Sequence, residues 1–234
     1  MSAFTSQAPA ADRRGFLARL AGGVTALMAG GLIAPAAAAT DGRTPRASGP
    51  WDDSWVQRVT GKHRQVFDSP QIAEGAALDQ ARMFMRGYSD VYGTTDAETS
   101  AVLVIRHEAI PIVLNDETWD RYELGKKFKL KDPTTGKPAR RNPFLNPLEG
   151  DKYALVWLDG SVEKLLERGA VVLACNMALG GFAGEYIMKH DGVKFPEARD
   201  RAKAAVLPGV VLQPSGIFAV ARAQEAGCSY IRAG

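Results

Sequence analysis

Apolar residues in this chain follow two rhythms. Short unbroken apolar runs bounded by turn formers alternate with longer stretches whose apolar positions recur at helical spacing. Arg64 to Asp68 predicts a first strand, and Ile72 to Tyr92 a helix carrying Ala76, Leu78, Ala81, Phe84, Met85 and Tyr88 at near-helical intervals. Ala101 to His107 is the clearest strand, after which a helical pattern runs from Ile110 to Phe128 with a break near Asn115 and Asp116. From Lys126 to Lys152 the pattern fails, because Pro133, Pro138, Pro143 and Pro147 interrupt any regular element. Tyr153 to Leu158 fits either an extra strand or the lead into a helix from Ser161 to Arg168, with Ser161 as N-cap and Gly169 as stop. The rest reads as a strand at Ala170 to Ala174, helices between Met177 and Ala205, a strand at Val210 to Gln213, a helix at Ile217 to Ala226 closed by Gly227, and a strand at Ser229 to Ala233.

Strands alternating with helices predict a mostly parallel sheet of about five strands covered on both faces, a doubly wound three-layer α/β domain. Right-handed crossovers then gather the carboxyl ends of the strands on one edge. That edge carries Asp68, His107, Cys175 and the turn Gln213-Pro-Ser-Gly216. In open α/β sheets, ligands bind at such an edge.

Residues 1–39 are expected to be an export signal rather than part of the domain. Asp12-Arg13-Arg14-Gly15-Phe16-Leu17 fits a twin-arginine pattern, a weakly apolar run spans Leu20 to Ile33, and Ala36 to Ala39 offers small residues for cleavage. The apolar run is shorter than the roughly 20 residues of a spanning helix, so membrane contact is expected only through the signal before cleavage. The expected mature protein is periplasmic and begins near Thr40, and residues 40–61, rich in Gly, Pro and charge, read as a linker able to strap Trp51 and Trp55 onto the domain at 62–234. Asp12, Arg13, Arg14 and Arg19 account for two of the formal net charge of +3, so the remainder is nearly neutral and nothing in its charge points to nucleic acid.

Outside the cytosol the state of the two cysteines becomes a functional question. Cys175 falls where an apolar strand meets a helix, and unpaired N–H groups at a helix start favour thiolate over thiol. Two readings stand together: a reactive thiolate, and a small buried core residue, the usual fate of free cysteine. Cys228 begins a strand that Cys175 would end, which puts them at opposite sheet edges, roughly 16 Å apart at ~3.3 Å per residue. A disulfide tolerates Cα separations up to about 7 Å, so both thiols are expected to be unpaired.

Leu173-Ala-Cys-Asn-Met-Ala-Leu179, Val210-Val-Leu-Gln-Pro-Ser-Gly-Ile217, the ending Ala223-Gln-Glu-Ala-Gly-Cys-Ser-Tyr-Ile-Arg232, and Arg106-His107 followed by Glu108-Ala-Ile-Pro-Ile-Val-Leu114 together resemble the DsrE/DsrF-like family of small sulfur-relay proteins. The resemblance runs from about Arg64 to the C-terminus, with an insertion near 126–152 outside it. It implies a flavodoxin-like fold, assembly into symmetric homo-oligomers, and, in members keeping the cysteine, carriage of sulfane sulfur as a persulfide. By position Cys175 would be the sulfur acceptor, and His107 matches a histidine that commonly follows the second strand. Cytosolic relatives hand sulfur to siroheme-enzyme or RNA-thiolation systems, partners that an exported protein cannot share.

The leading expectation is therefore a sulfur carrier using Cys175 and His107, helped by Asn176, Glu108, Ser215 and Gly216, needing no cofactor, and exchanging sulfur with a donor or acceptor protein or a small sulfur compound. The alternative is a non-catalytic ligand-binding or assembly module. Metal handling is a lesser alternative: Cys175, Met177, His107 and His190 include copper-ligand types, but their spacing lacks the close cluster such sites use, and no metal residues are assigned. His63 and His190 read as surface residues, and the basic run Lys126-Lys127-Phe-Lys129-Leu-Lys131 with Lys137, Arg140 and Arg141 as a solvated loop.

Overall fold

A computed structural model describes residues 49–151 and 158–234; the signal region and most of the Tyr153 to Leu158 segment lie outside the described residues. Five strands, β1 (His63–Ser69), β2 (Thr99–Ile105), β3 (Val171–Cys175), β4 (Val211–Gln213) and β5 (Ser229–Arg232), form one all-parallel sheet in the order β4-β3-β2-β1-β5. With helices on both faces this is a flavodoxin-like three-layer α/β fold.

The alternation of side chains along each strand divides the core in two. Phe67, Leu103, Ile105, Val172 and Ala174 face one cluster, which receives Leu78, Ala81 and Met85 of α1 (Ala76–Tyr92). Val66, Val102, Val104, Val171 and Leu173 face the other, closed by Trp55 and by Ala219 and Ala223. All of β2 is buried, which is why Ala101 to Ile105 is an unbroken apolar run.

The first face also carries α2 (Asp116–Arg121), α3 (Leu124–Lys127), α4 (Val162–Glu167) and α5 (Asn176–Phe182). The last of these continues through a π-helical segment, Ala183–Met188, into α6 (Lys189–Asp191), followed by α7 (Phe195–Ala204). The second face holds α8 (Gly216–Glu225). Strands β1 to β4 step one way across the sheet with their connections on the first face. The return from β4 to β5 runs in the opposite direction, and a right-handed crossover then requires α8 to lie on the other face. The chain therefore leaves the neighbouring strands β3 and β4 toward opposite faces, and a crevice opens beyond their carboxyl ends.

Local chemistry explains the element ends. Ser161 Oγ accepts from Lys164 N at 3.2 Å to start α4, and Gly169, at φ +89°, lets the chain turn back into β3. Strand β2 stops at Ile105, two residues before the expected end, and Pro111 holds His107–Val113 as a 3-10 turn instead of an α-helix. The break near Asn115 is an N-cap: its Oδ1 accepts from Thr118 N at 3.0 Å.

Residues 49–61 do more than link. Trp55 is buried in the second cluster, Arg58 Nη2 donates to Ala170 O at 3.0 Å, and Gln213 Nε2 donates to Asp52 O at 2.8 Å. The irregular stretch from Phe128 to Asp151 is also built into the core. Phe144 packs edge-on against Trp119, and buried Asn142 Nδ2 donates to Ile112 O at 2.9 Å and Leu114 O at 2.7 Å. Its lysines are exposed, as a solvated loop requires, but Arg141 is half-buried and bonded to Asp132 and Asp151. His63 is part of β1 and stacks on Tyr88 at 3.8 Å between ring centroids, rather than standing free at the surface.

Candidate functional site

The crevice beyond β3 and β4 is a cavity of about 590 Å³. Its lining includes Cys175, His107, Glu108, Ser215 and Gly216 from the sequence-predicted set, but not Asn176. Asn176 turns instead to a separate cavity, because successive residues at a strand end point to opposite sides.

Cys175 is at once the last residue of β3 and the N-cap of α5. Its Sγ accepts a hydrogen bond from Ala178 N at 3.3 Å, in the role an N-cap oxygen usually fills. A sulfur held there faces the free amide N–H groups of the first turn of α5. The residue is 6% exposed, with that small area opening to the cavity.

Arg106 shares the cavity wall, and its stem is held from two sides. Its Nε and Nη2 donate to Asp68 Oδ1 and Oδ2 at 2.6 and 2.9 Å, while Tyr230 Oη donates to Asp68 Oδ2 at 2.9 Å. Burial alone would push the Asp68 carboxyl up, but hydrogen bonds from Arg106 and Tyr230 outweigh it and hold the group below the usual carboxylate range. The bond to Asp68 raises the Arg106 guanidinium pKa against the opposing effect of burial, and the charge of Asp68 adds to the rise. Gly216 is required beside this stem: a Cβ there would lie 2.5 Å from Arg106 Cδ. Ser215 Oγ caps α8 by accepting from Phe218 N at 3.1 Å.

His107 follows in the left-handed region at φ +48°, a conformation that costs a non-glycine residue about 1 kcal/mol or more. The neighbouring backbone fixes it, with Arg106 N donating to Ser69 O at 3.0 Å and Glu108 N to Pro70 O at 3.1 Å. The strain carries the exposed His107 and Glu108 onto the cavity wall.

Opposite, the π-helical segment brings Glu185 and Tyr186 to the cavity; one extra residue per turn re-aims side chains relative to an α-helix. Tyr186 stacks on Phe182 at 4.8 Å, and Lys127 Nζ sits 5.5 Å from its ring centroid. Burial raises the Tyr186 phenol pKa, and the charges of Glu185 and Glu108 add to that rise. The mouth is apolar, with Met177 and Ile217 strongly exposed.

No family model matches the chain, and no curated protein matches it. Among solved structures it is similar to a protein of unknown function, MTH1491 from Methanobacterium thermoautotrophicum. The two are 16% identical with a TM-score of 0.39, over 73% of this chain and 98% of that one.

Of the four residues weighed as copper ligands, Cys175, His107 and Met177 share the cavity. His190 does not: its Nδ1 lies 2.8 Å from Asp191 Oδ1, in a cluster where Arg121 and Arg201 also hold Asp191. Among the described residues, no group of three or more His, Cys, Asp or Glu side chains is placed to hold a metal ion. Both cysteines are free. Burial pushes the Cys228 thiol up to about 11.

Sequence reasoning did not single out Arg106, Phe128, Glu185 or Tyr186 as site residues. Arg106 was legible only as the neighbour of His107. Glu185 and Tyr186 depend on the π-helical register, whose trace in the sequence is the glycine-weakened stretch Gly180, Gly181 and Gly184.

Proposed function

We propose that the protein carries sulfane sulfur as a persulfide on Cys175. The observation that carries this reading is a thiol capping a helix start while opening into a cavity large enough for a small molecule. The resemblance to DsrE/DsrF-like sulfur-relay proteins adds to it. The Cys175 thiolate attacks the outer sulfur of a hydropersulfide, R–S–SH; the new S–S bond forms as the old one breaks, and R–S⁻ leaves with the electron pair. An acceptor thiolate then attacks the outer sulfur of Cys175–S–SH, takes the SH group and restores the Cys175 thiolate, so no net oxidant is needed. The apolar mouth together with Glu108 and Glu185 favours an apolar organic donor over a dianion such as thiosulfate.

The test is mass spectrometry of reduced protein exposed to an alkyl hydropersulfide, to polysulfide or to thiosulfate, beside Cys175→Ser and Cys228→Ser variants. One added sulfur on Cys175, removable by a thiol acceptor, is expected. No adduct on folded protein would shift the reading to a ligand-binding module, which the near-complete burial of Cys175 favours. Iodoacetamide labelling at pH 8 separates the thiols, because Cys228 is almost wholly protonated there. Export by the twin-arginine route belongs to the same proposal, and N-terminal sequencing of secreted protein should find a start near Thr40. Among the described residues, no helix is long and apolar enough to cross a membrane.

A further inference from the structure

A second cavity, of about 560 Å³, shares no lining residue with the first. It lies between the segment Pro50 to Asp52, the edge strand β4 and α7. Asn176 lines it, 6% exposed, and its side-chain Oδ1 is buried with no hydrogen-bond partner. Arg199, also on the wall, has a buried Nε with no partner. An unmade hydrogen bond at a buried polar atom is costly, so the two at this cavity give a bound partner hydrogen bonds to make.

The wall specifies the chemistry of that ligand. Arg199 and Lys203 stand one turn apart on α7, and neither makes an ion pair among the described residues. Together they select an anion, and the planar Arg199 fork fits the paired oxygens of a carboxylate or a phosphate. With Asp52 also on the wall, the three charges sum to one net positive, which suits a single carboxylate over a doubly charged phosphate group. The Asn176 oxygen needs a donor close to that carboxylate. Trp51 and Leu212 provide an apolar surface for the remainder.

We infer that this cavity binds a monocarboxylic acid with a hydroxyl or ammonium on its α-carbon and an apolar side chain, the carboxylate on Arg199 and Lys203 and the α-donor on Asn176. Hydroxy acids and amino acids share this chemistry. The site stands independently of sulfur transfer at Cys175.

Three isosteric probes test it by calorimetry on the purified protein: L-3-phenyllactate, L-phenylalanine and 3-phenylpropionate, which lacks the α-donor. Either of the first two should bind, and the stronger of them identifies the donor. Phenylpropionate should bind about tenfold or more weakly than that probe, since it leaves the buried Asn176 oxygen unpaired. Arg199→Gln, a substitution on a half-buried helix position, should weaken the better probe by a similar factor. Asn176→Ala should remove the discrimination between phenylpropionate and the better probe while phenylpropionate binding persists, a result that loss of folding would not produce. Failure of all three probes at millimolar concentration, equal binding with and without the α-donor, or unchanged binding in Arg199→Gln would each overturn the assignment.

Discussion

Replacing Arg106 by Met keeps an unbranched stem against Gly216 and removes only the charged fork. The cost follows from what remains. Asp68 has a side chain 4% exposed and receives three hydrogen bonds, two of them from Arg106, itself 16% exposed. In the variant the carboxylate stays buried with Tyr230 as its remaining side-chain donor. Breaking a buried pair from one side typically costs 3–5 kcal/mol; partial exposure of Arg106 and the surviving Tyr230 bond argue for the lower end, about 3 kcal/mol at pH 7. The sign of the pH dependence distinguishes this cause from lost packing. In the native protein the Asp68 pKa is depressed, so its stabilising contribution is present above the unfolded value, about 3.9, and is lost as pH falls through the lower folded value. Without Arg106, burial dominates and raises the folded pKa above 3.9, so the variant regains stability as falling pH protonates the carboxyl. The gap between the two proteins should therefore narrow from pH 7 toward pH 4. Urea unfolding at both pH values measures it, with Asp68→Asn/Arg106→Met as the third corner, expected to be more stable than Arg106→Met at pH 7. A gap below about 1 kcal/mol at pH 7, the range of an exposed pair, or a gap indifferent to pH, would refute the reasoning.

Asn142→Leu keeps the branching of the side chain but strands the carbonyls of Ile112 and Leu114 and the amide of Phe144; a loss of about 2–4 kcal/mol in urea unfolding is expected, and a loss under about 1 kcal/mol would mean the 128–151 segment is not anchored there. Asp151, held at about 2 chiefly by its hydrogen bond from Arg141, should titrate by NMR near that value, and the stability it contributes should be present above the unfolded value near 3.9 and disappear as pH falls through about 2. Titration near 3.9 in the folded protein would show that the Arg141 contact does not form in solution.

What the sequence made legible was whatever repeats or punctuates. The all-buried strands β2 and β3 announce themselves as apolar runs, and Ser161 and Gly169 mark the ends of α4 because capping chemistry is local. The same locality located Cys175 at a strand-to-helix junction and put His107, Ser215 and Gly216 on its edge. Long-range polar pairing leaves no such trace. Asn142 reaches carbonyls about thirty residues away, and Asp68 meets Arg106 just past β2 and Tyr230 on β5, so no window of sequence contains these partners. Proline density made 126–152 read as detachable, yet proline forbids regular hydrogen bonding, not burial, and Phe144 with Asn142 ties the segment into the core. The strain at His107 was hidden for a related reason: it is imposed by neighbouring backbone held to Ser69 and Pro70.

The two cavities share one topological origin. Because the step from β4 back to β5 reverses direction, α5 and α8 leave their neighbouring strands toward opposite faces, and neither covers the end of the β3–β4 pair. Strand β4 has three residues and, among the described residues, no strand beyond it, so α7 and the segment at Pro50 to Asp52 flank its outer side. At this junction consecutive residues point to opposite sides, which gives the thiol of Cys175 to one cavity and the amide of Asn176 to the other. The two side chains are fixed by different forces, the first by a bond from the α5 backbone, the second by burial alone. A ligand that satisfies the Asn176 oxygen would thus act on the residue next to the thiol without entering the thiol's own cavity.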